Sequence, residues 1–206
     1  MPRSPPGRGC AGCVTFMEEP APSAGQERLY AADLAEDGYV WDLTRVWAHQ
    51  PEAKEQLMRL FQMTAEAAGL SPRDRAVIVI AQAAAIGDSY CAVAWGKRLT
   101  DWSDPTTAIA ALCAEDGSFS ERERALAAWA RTVARSPGIS TPRDIQRLRD
   151  AGFLEPQIVA LTIFAGLRTA FSSINGALGS RPDPALMETL DPGVRAAITW
   201  GRTAGE

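Results

Sequence analysis

From residue 40 onward the chain alternates apolar-rich stretches with the residues that start and stop helices. The segment WDLTRVWAHQPEAKEQLMRLFQMTAEAAGL predicts a long helix, with Pro51 suited to a first helical turn and Gly69 to a C-terminal cap. Ser71-Pro72-Arg73-Asp74 then sets a hydroxyl cap, a proline at the first helical position and an acid in the first turn ahead of the run AVIVIAQAAAIG. The β-branched residues of that run would suit a strand. Its caps, length and alanines instead predict a helix that is apolar on all sides and therefore central. Ser120 and Glu123 make a capping box for a helix to about Arg135, and Thr141-Pro142-Arg143-Asp144 opens another that stops at Gly152; both read as covering helices. The last long helix starts near Pro156 and carries Ala160, Phe164, Leu167, Phe171, Ile174 and Leu178 along a core face. On the same helix Arg168, Ser172 and Asn175 fall at i, i+4 and i+7. That polar stripe is either a solvated face or a pocket wall, because a guanidinium in apolar surroundings usually has an anionic or hydrogen-bonding partner.

The chain also repeats itself. Sliding it by 84 residues sets Leu70, Pro72, Ala76 and Ala81 on Leu154, Pro156, Ala160 and Ala165, and predicts two related helical halves with a site between them. In this register Asp88 falls on Ser172 and Cys91 on Asn175, so a thiol in the first half has a polar counterpart in the second.

With 206 residues and 46% hydrophobic composition, the chain supports one sizeable core, read as a single all-α domain over residues 27–200. Residues 1–26 are rich in Pro, Gly, Ala and Ser without apolar period and predict a disordered tail; residues 201–206 predict a flexible C-terminus. The tail holds Cys10 and Cys13 as a CxxC, with no second Cys or His pair nearby to complete the roughly four ligands of a metal site. Met17 would serve as an alternative start. A net charge of −4 and a pI of about 5.2 leave no basic excess for nucleic acid or anionic membrane. No uninterrupted apolar run reaches the roughly 18 to 20 residues of a spanning helix, and the N-terminus lacks a signal-peptide core, so a cytoplasmic protein without membrane partners is expected. Cys10, Cys13, Cys91 and Cys113 read as reduced thiols, with Cys113 in the core. His49 is the only histidine and stands just before a helix, in no HxxxH or HExxH spacing; nucleotide-binding glycine motifs are absent too. Neither a metal nor a cofactor is predicted.

The remaining chemistry lies in Gly87-Asp88-Ser89-Tyr90-Cys91-Ala92-Val93-Ala94-Trp95-Gly96, which links the central helix to the next. The pattern LSPRDRAVIVIAQAAAIGDSYCAVAWGKRL, preceded by RVWAHQPEA and followed by SERERALAAWA, DIQRLRDAGFLEPQIVALTIFAG and FSSINGALG, resembles the carboxymuconolactone decarboxylase and alkylhydroperoxidase D-like (AhpD-like) superfamily, including its peroxidase-related members. The resemblance covers about residues 40–185 and implies the AhpD-like all-α fold and a homo-oligomer. Redox members of that family carry a Glu on the central helix and a CxxC with a His four residues after its second Cys. Cys91 matches that second, peroxide-reacting Cys, but Asp88, Trp95 and Ala76 stand where the family has its first Cys, its His and its Glu. Without a resolving thiol and a relay for the thiol proton, dithiol peroxidase activity is expected to be lost. Asp88 also opposes a thiolate one turn away, and fits equally well as the N-cap of the Cys91 helix.

These readings favour a non-redox small-molecule enzyme of decarboxylase, isomerase or cyclase type, working by acid/base chemistry in a specialised pathway. Asp88, Tyr90 and Cys91 are the candidate catalytic residues; Trp95, Arg168, Asn175 and His49 are the candidate substrate-binding residues. In this reading Arg168 anchors a carboxylate or phenolate, Asp88 or Tyr90 moves a proton and the tryptophans exclude water. Two alternatives stand beside it: a one-Cys thiol peroxidase using Cys91, resolved by an external thiol or by Cys113, and a catalytically inactive ligand-binding or interaction module.

Overall fold

A computed structural model describes residues 15–204. Among them the regular structure is entirely helical: α1 (Ala24–Asp37), α2 (Asp42–Trp47), α3 (Pro51–Ala67), α4 (Pro72–Ile86), α5 (Ser89–Trp102), α6 (Pro105–Cys113), α7 (Glu121–Arg135), α8 (Pro142–Asp150), α9 (Glu155–Ala177), α10 (Pro184–Thr189) and α11 (Pro192–Ala197), with two short 3-10 turns.

The apolar all-round helix is the centre of the molecule. A capping box between Ser71 and Asp74 starts α4, and every residue from Ala76 to Ala83 is buried, because α5, α6, α7 and α9 surround it. α9 closes the other side of the core, packing on α3, α4 and α7. A polar tie crosses the α4–α9 contact, where Gln82 Nε2 donates to Ala165 O at 2.7 Å and to the Thr169 hydroxyl. The internal repeat accounts for one difference between its halves. α9 runs on through Phe171 and Ser172, whereas the corresponding first-half path breaks at Gly87 in the left-handed region (φ 74°) and restarts as α5, capped by Asp88.

The structure departs from the sequence reading at several places. Pro51 opens the long helix and Gly69, in the left-handed region, follows its end as the spacing implied, but the preceding residues add a separate short helix, α2, that ends at Trp47. α7 is no cover: it packs on α4 more extensively than any other pair of helices, burying Leu126, Ala127, Trp129 and Ala130, while α8 buries only Leu148 and does lie outside. Order begins before residue 27. α1 starts at Ala24 on the Ser23 cap, Phe16 N donates to Leu178 O at 3.1 Å, and Glu19 meets Arg45 at 2.9 Å. Cys10 and Cys13 lie outside the described residues, as do residues 205 and 206 of the expected flexible end. Met17 sits in a turn held by Thr15. Cys113 is exposed and not core, since the last turn of α6 ends there in the left-handed Ala114 (φ 58°) with its side chain outward. α9 is long and apolar enough to cross a membrane by length and composition, yet 44% of its apolar window is buried inside the fold as core.

Candidate active site

Two cavities meet near the start of α5. The first, about 360 Å³, is lined by Phe61, Ala94, Trp95, Phe164 and Phe171 from α3, α5 and α9, with Cys91 and Arg168, and also by charged groups that include Asp33, Glu36 and Asp37 of α1 and Lys54 and Arg98. The heptad-like spacing of α9 explains the placement: Phe164, Arg168 and Phe171 sit on consecutive turns of one face, so the guanidinium is carried into the same apolar layer as the rings.

Arg168 is 6% exposed and has no carboxylate at ion-pair distance among the described residues. Its guanidinium carbon lies 4.9 Å from the Phe61 ring centroid, 5.0 Å from Phe171 and 5.4 Å from Trp95. Its Nη2 donates to Cys91 Sγ at 3.4 Å, and its Nε has no hydrogen-bond partner. Aromatic faces stabilise a desolvated cation but leave its N–H groups unsatisfied, so the cage holds a cation with donors to spare. Burial draws the Arg168 proton affinity down, while Cys91 and Asp88 act the other way.

Cys91 lies in the first turn of α5 and is buried, with Ser172 Oγ at 3.8 Å as a second neighbour of the sulfur. Burial pushes the thiol up and Asp88 pushes it further; Arg168 and Ser172 pull it down without offsetting that rise. The resting thiol is therefore protonated at neutral pH. Ala76, at the position of the family's Glu, is fully buried in α4 and supplies no proton acceptor.

The other predicted residues divide. Trp95 lines the aromatic cavity, with Arg98 5.3 Å from its ring centroid as well as Arg168. Tyr90 lines both cavities, but its hydroxyl is committed to Asp183, whose other oxygen accepts from Asp42 N at 2.9 Å. The Tyr90 phenol is held well above its usual range by burial and by Asp183, so it is a positioned donor rather than a base. Asp88 caps α5, accepting from Cys91 N at 3.1 Å, and lines the second cavity rather than the aromatic one. Asn175 also belongs to that second cavity and accepts from Trp47 Nε1 at 2.7 Å. The expectation that Asn175 lines the same pocket wall as Arg168 is corrected: two turns further along α9, it lies beyond the aromatic cavity, behind the Trp47 ring that stacks on Phe171, and lines the second cavity instead. His49 is also corrected as a substrate-binding residue of this site. It is exposed in the turn before α3, with Nε2 3.0 Å from Glu18 O, and is absent from the lining of both cavities.

The sequence reading missed Lys54, Asp42 and Asp183. Lys54 lines the aromatic cavity, donates to Thr44 Oγ1 at 2.8 Å, and has its ammonium pKa lowered by burial. Nothing in its spacing distinguishes it from the solvated charges of α3. Asp183 is pushed up to about 6, chiefly by burial. Among the described residues, no group of three or more His, Cys, Asp or Glu side chains is arranged to hold a metal ion.

A helical core around an all-buried central helix, with a cysteine at the start of the following helix facing its long counterpart, defines the chain as a protein of AhpD-like fold. The particular relatives are solved structures. An uncharacterized peroxidase-related protein from Ralstonia eutropha JMP134, described as an alkylhydroperoxidase AhpD core, superposes with a TM-score of 0.72 at 20% identity, over 85% of this chain and 96% of its own. A peroxidase-related protein from Silicibacter sp. TM1040 gives 0.71 at 18% identity, over 83% and 93%. The debrominase Bmp8, as a cysteine-to-alanine variant in complex with 2,3,4-tribromopyrrole, gives 0.68 at 17% identity, over 90% and 100%. No family model matches the sequence, and no curated protein matches it. The family resemblance read from the sequence is borne out at the level of the fold.

Proposed function

We propose that this chain is an enzyme that takes a small, flat, anionic molecule, carboxylated or phenolic, into the aromatic cavity and transforms it by non-redox acid/base chemistry. The observation that carries this reading is Arg168: a buried guanidinium ringed by Phe61, Trp95 and Phe171, with an unpartnered Nε and no carboxylate at ion-pair distance among the described residues. A planar anion between those rings gains stacking area and a charge-assisted hydrogen bond from the guanidinium. Cys91, protonated at rest and 3.4 Å from Arg168, is placed to give a proton to the bound molecule and to recover it, the guanidinium stabilising the transient thiolate. That the debrominase Bmp8, of the same fold, is found in complex with 2,3,4-tribromopyrrole supports a small flat ring as the kind of molecule the cavity accepts.

The reading is tested by calorimetric titration with 4-hydroxybenzoate and 2,3,4-tribromopyrrole. Saturable binding that weakens at least tenfold in Arg168→Gln supports it; equal binding by wild type and variant sinks the anchor role. A second reading, a one-Cys thiol peroxidase, is favoured by the position of Cys91 on the cavity and by the peroxidase-related proteins of this fold. It requires a thiolate. Intact-protein mass spectrometry after brief exposure to an organic hydroperoxide, with a Cys91→Ala control, separates the two. Stoichiometric Cys91-dependent oxidation establishes the peroxidase, and oxidation no faster than free cysteine leaves the acid/base enzyme.

A further inference from the structure

Cys91 lines one cavity and lies a single contact away from a second, unlike one. On one side is the aromatic pocket, reached through the Arg168 contact. On the other is a cavity of about 580 Å³ whose lining joins the polar residues Asp88, Thr169, Ser172, Asn175, Ser180 and Arg202 to small and apolar ones such as Ile86 and Ala134. Ser172 Oγ, 3.8 Å from the sulfur, belongs to this second lining, and Tyr90 belongs to both. One turn of α9 makes the division, since Arg168 and Phe171 face the aromatic side while Thr169, Ser172 and Ser173 face the polar one.

Buried polar atoms without partners gather on this polar side. Asp88 Oδ2, Asn175 Nδ2 and Ser180 Oγ are all buried and unpaired, and all three residues line the cavity. Asn175 is 1% and Ser180 4% exposed. A buried donor or acceptor left unpaired costs about 1 to 3 kcal/mol, and a roomy polar cavity with several such groups is where ordered water settles. The C-terminal segment closes one side: Ser89 Oγ donates to Arg202 O at 2.7 Å, and Gly201 lies so close that a Cβ there would stand 2.6 Å from Ser89 Oγ.

We propose that the polar cavity is a hydrated proton route to Cys91, with Asp88 as the relay between the thiol and solvent, so that substrate and proton reach the sulfur from opposite sides. This deepens the acid/base reading above and rests on it for its use in turnover. Asp88 Oδ1 accepts from Cys91 N at 3.1 Å, which holds the carboxylate beside the cysteine. The step balances as a proton transfer: the S–H bond of Cys91 breaks, its proton passes through water in the cavity to form an O–H bond on the Asp88 carboxylate, and from there it is released to solvent. The electron pair stays on sulfur, facing Arg168. The reverse sequence reprotonates the thiol after it has given its proton to a bound molecule. An aromatic pocket sealed by a flat ligand cannot supply that proton; the rear cavity can, with the ligand in place.

The test needs no turnover, so it fails or succeeds independently of the proposed reaction. In the full chain with Cys10, Cys13 and Cys113 replaced by serine, the S–H stretching band of Cys91 is followed by infrared spectroscopy after dilution into D2O. Ser173→Trp fills the polar cavity from its exposed lining residue, Asp88→Asn keeps a capping side chain but removes the proton acceptor, and Met58→Trp obstructs the aromatic pocket. The expected result is slowing of at least tenfold in Ser173→Trp and in Asp88→Asn, with the wild-type rate in Met58→Trp. Should Ser173→Trp fail to fold, Ser180→Leu fills the same space. A wild-type rate in the filled variants overturns the route, a wild-type rate in Asp88→Asn overturns the relay, and slowing only in Met58→Trp places proton entry on the substrate side instead. An S–H that exchanges no faster than the slowest backbone amides overturns the proposal as well, because exchange then requires global unfolding.

Discussion

The thiol of Cys91 is governed by opposing neighbours, and each can be removed separately. Asp88 raises it and Arg168 lowers it, both secondary to burial. Alkylation by iodoacetamide against pH should therefore shift to lower pH in Asp88→Asn and to higher pH in Arg168→Gln, with the rate at pH 8 changing by about tenfold for each 1.4 kcal/mol of charge interaction lost. Parallel shifts in the same direction would contradict the arrangement. Asp183 makes a second prediction. Its carboxyl is pushed up to about 6 against a usual value near 4, so the folded chain binds a proton in that window that the unfolded chain does not. Its contribution to stability is thus fully present below about pH 4 and lost as pH rises through about 6, on the order of 2 to 3 kcal/mol. In Asp183→Asn that acid-linked gain disappears. Comparing the thermal melts of wild type and variant at pH 7.5 and pH 4.5 should show wild type gaining on the variant as pH falls. Much of the site was legible at this scale. Asp88, Cys91 and Arg168 stood out because a helix break, a thiol and a guanidinium on an apolar face each violate their local pattern, and Trp95 because it stands where the resembled family has its His. Lys54 and Asp183 were not, because their unusual surroundings come from contacts across the fold; Asp183 meets Tyr90, 93 positions away.

At the scale of the element, most helices were readable for one reason: their starts are written in short polar codes. The boxes Ser71/Asp74 and Ser120/Glu123 satisfy amides that α4 and α7 leave unpaired, and both appear where the spacing placed them. What failed was the rank of elements. α7 has charged residues on its outer face and so reads as a cover, yet its small residues Ala127 and Ala130 allow close approach to α4, and Leu126 is fully buried. Amphipathic pattern reports that a face is buried, not how much is packed against it. α7 therefore should be costly to disturb. Leu126→Ala is expected to lower unfolding free energy by about 3 kcal/mol and Ser120→Ala by about 1 kcal/mol, read from urea denaturation with an unchanged m-value. The internal repeat has its physical counterpart here too. In the 84-residue register α9 corresponds to α4 with the first turn of α5, and along that length only the first half carries a left-handed glycine, Gly87. That interruption creates the helix start on which Cys91 sits, while the uninterrupted α9 presents Ser172 and Arg168 to the same sulfur. One half supplies the reactive group and the other supplies its surroundings.

For the molecule as a whole, the aromatic cavity turns inward while a second apolar surface turns outward. Val159 (59% exposed), Ile163 (46%) and Ile174 (38%) follow one another at spacings of four and eleven along α9, and Leu60 and Met63 are exposed on α3, which packs beside it. Three apolar residues on one face of α9, with two more exposed on the helix packed against it, motivate the prediction that copies of the chain associate through this face. The resemblance to AhpD-like proteins carries the same expectation from another direction. A closed association through this face would also bury the outer surface of α9, stiffening the helix that holds Arg168, Ser172 and Phe171 in place, so assembly and site geometry are expected to be coupled. Sedimentation velocity of the full chain should then give a species larger than the 22.1 kDa monomer. Ile163→Glu places a charge at the middle of the patch without touching either cavity lining, and should shift the boundary to monomer while far-UV circular dichroism stays helical. The same variant should melt at a temperature that no longer rises with protein concentration, because the stabilisation supplied by mass action is gone. A wild-type chain that sediments as a monomer at all concentrations would remove the interface and leave the apolar face of α9 as surface alone.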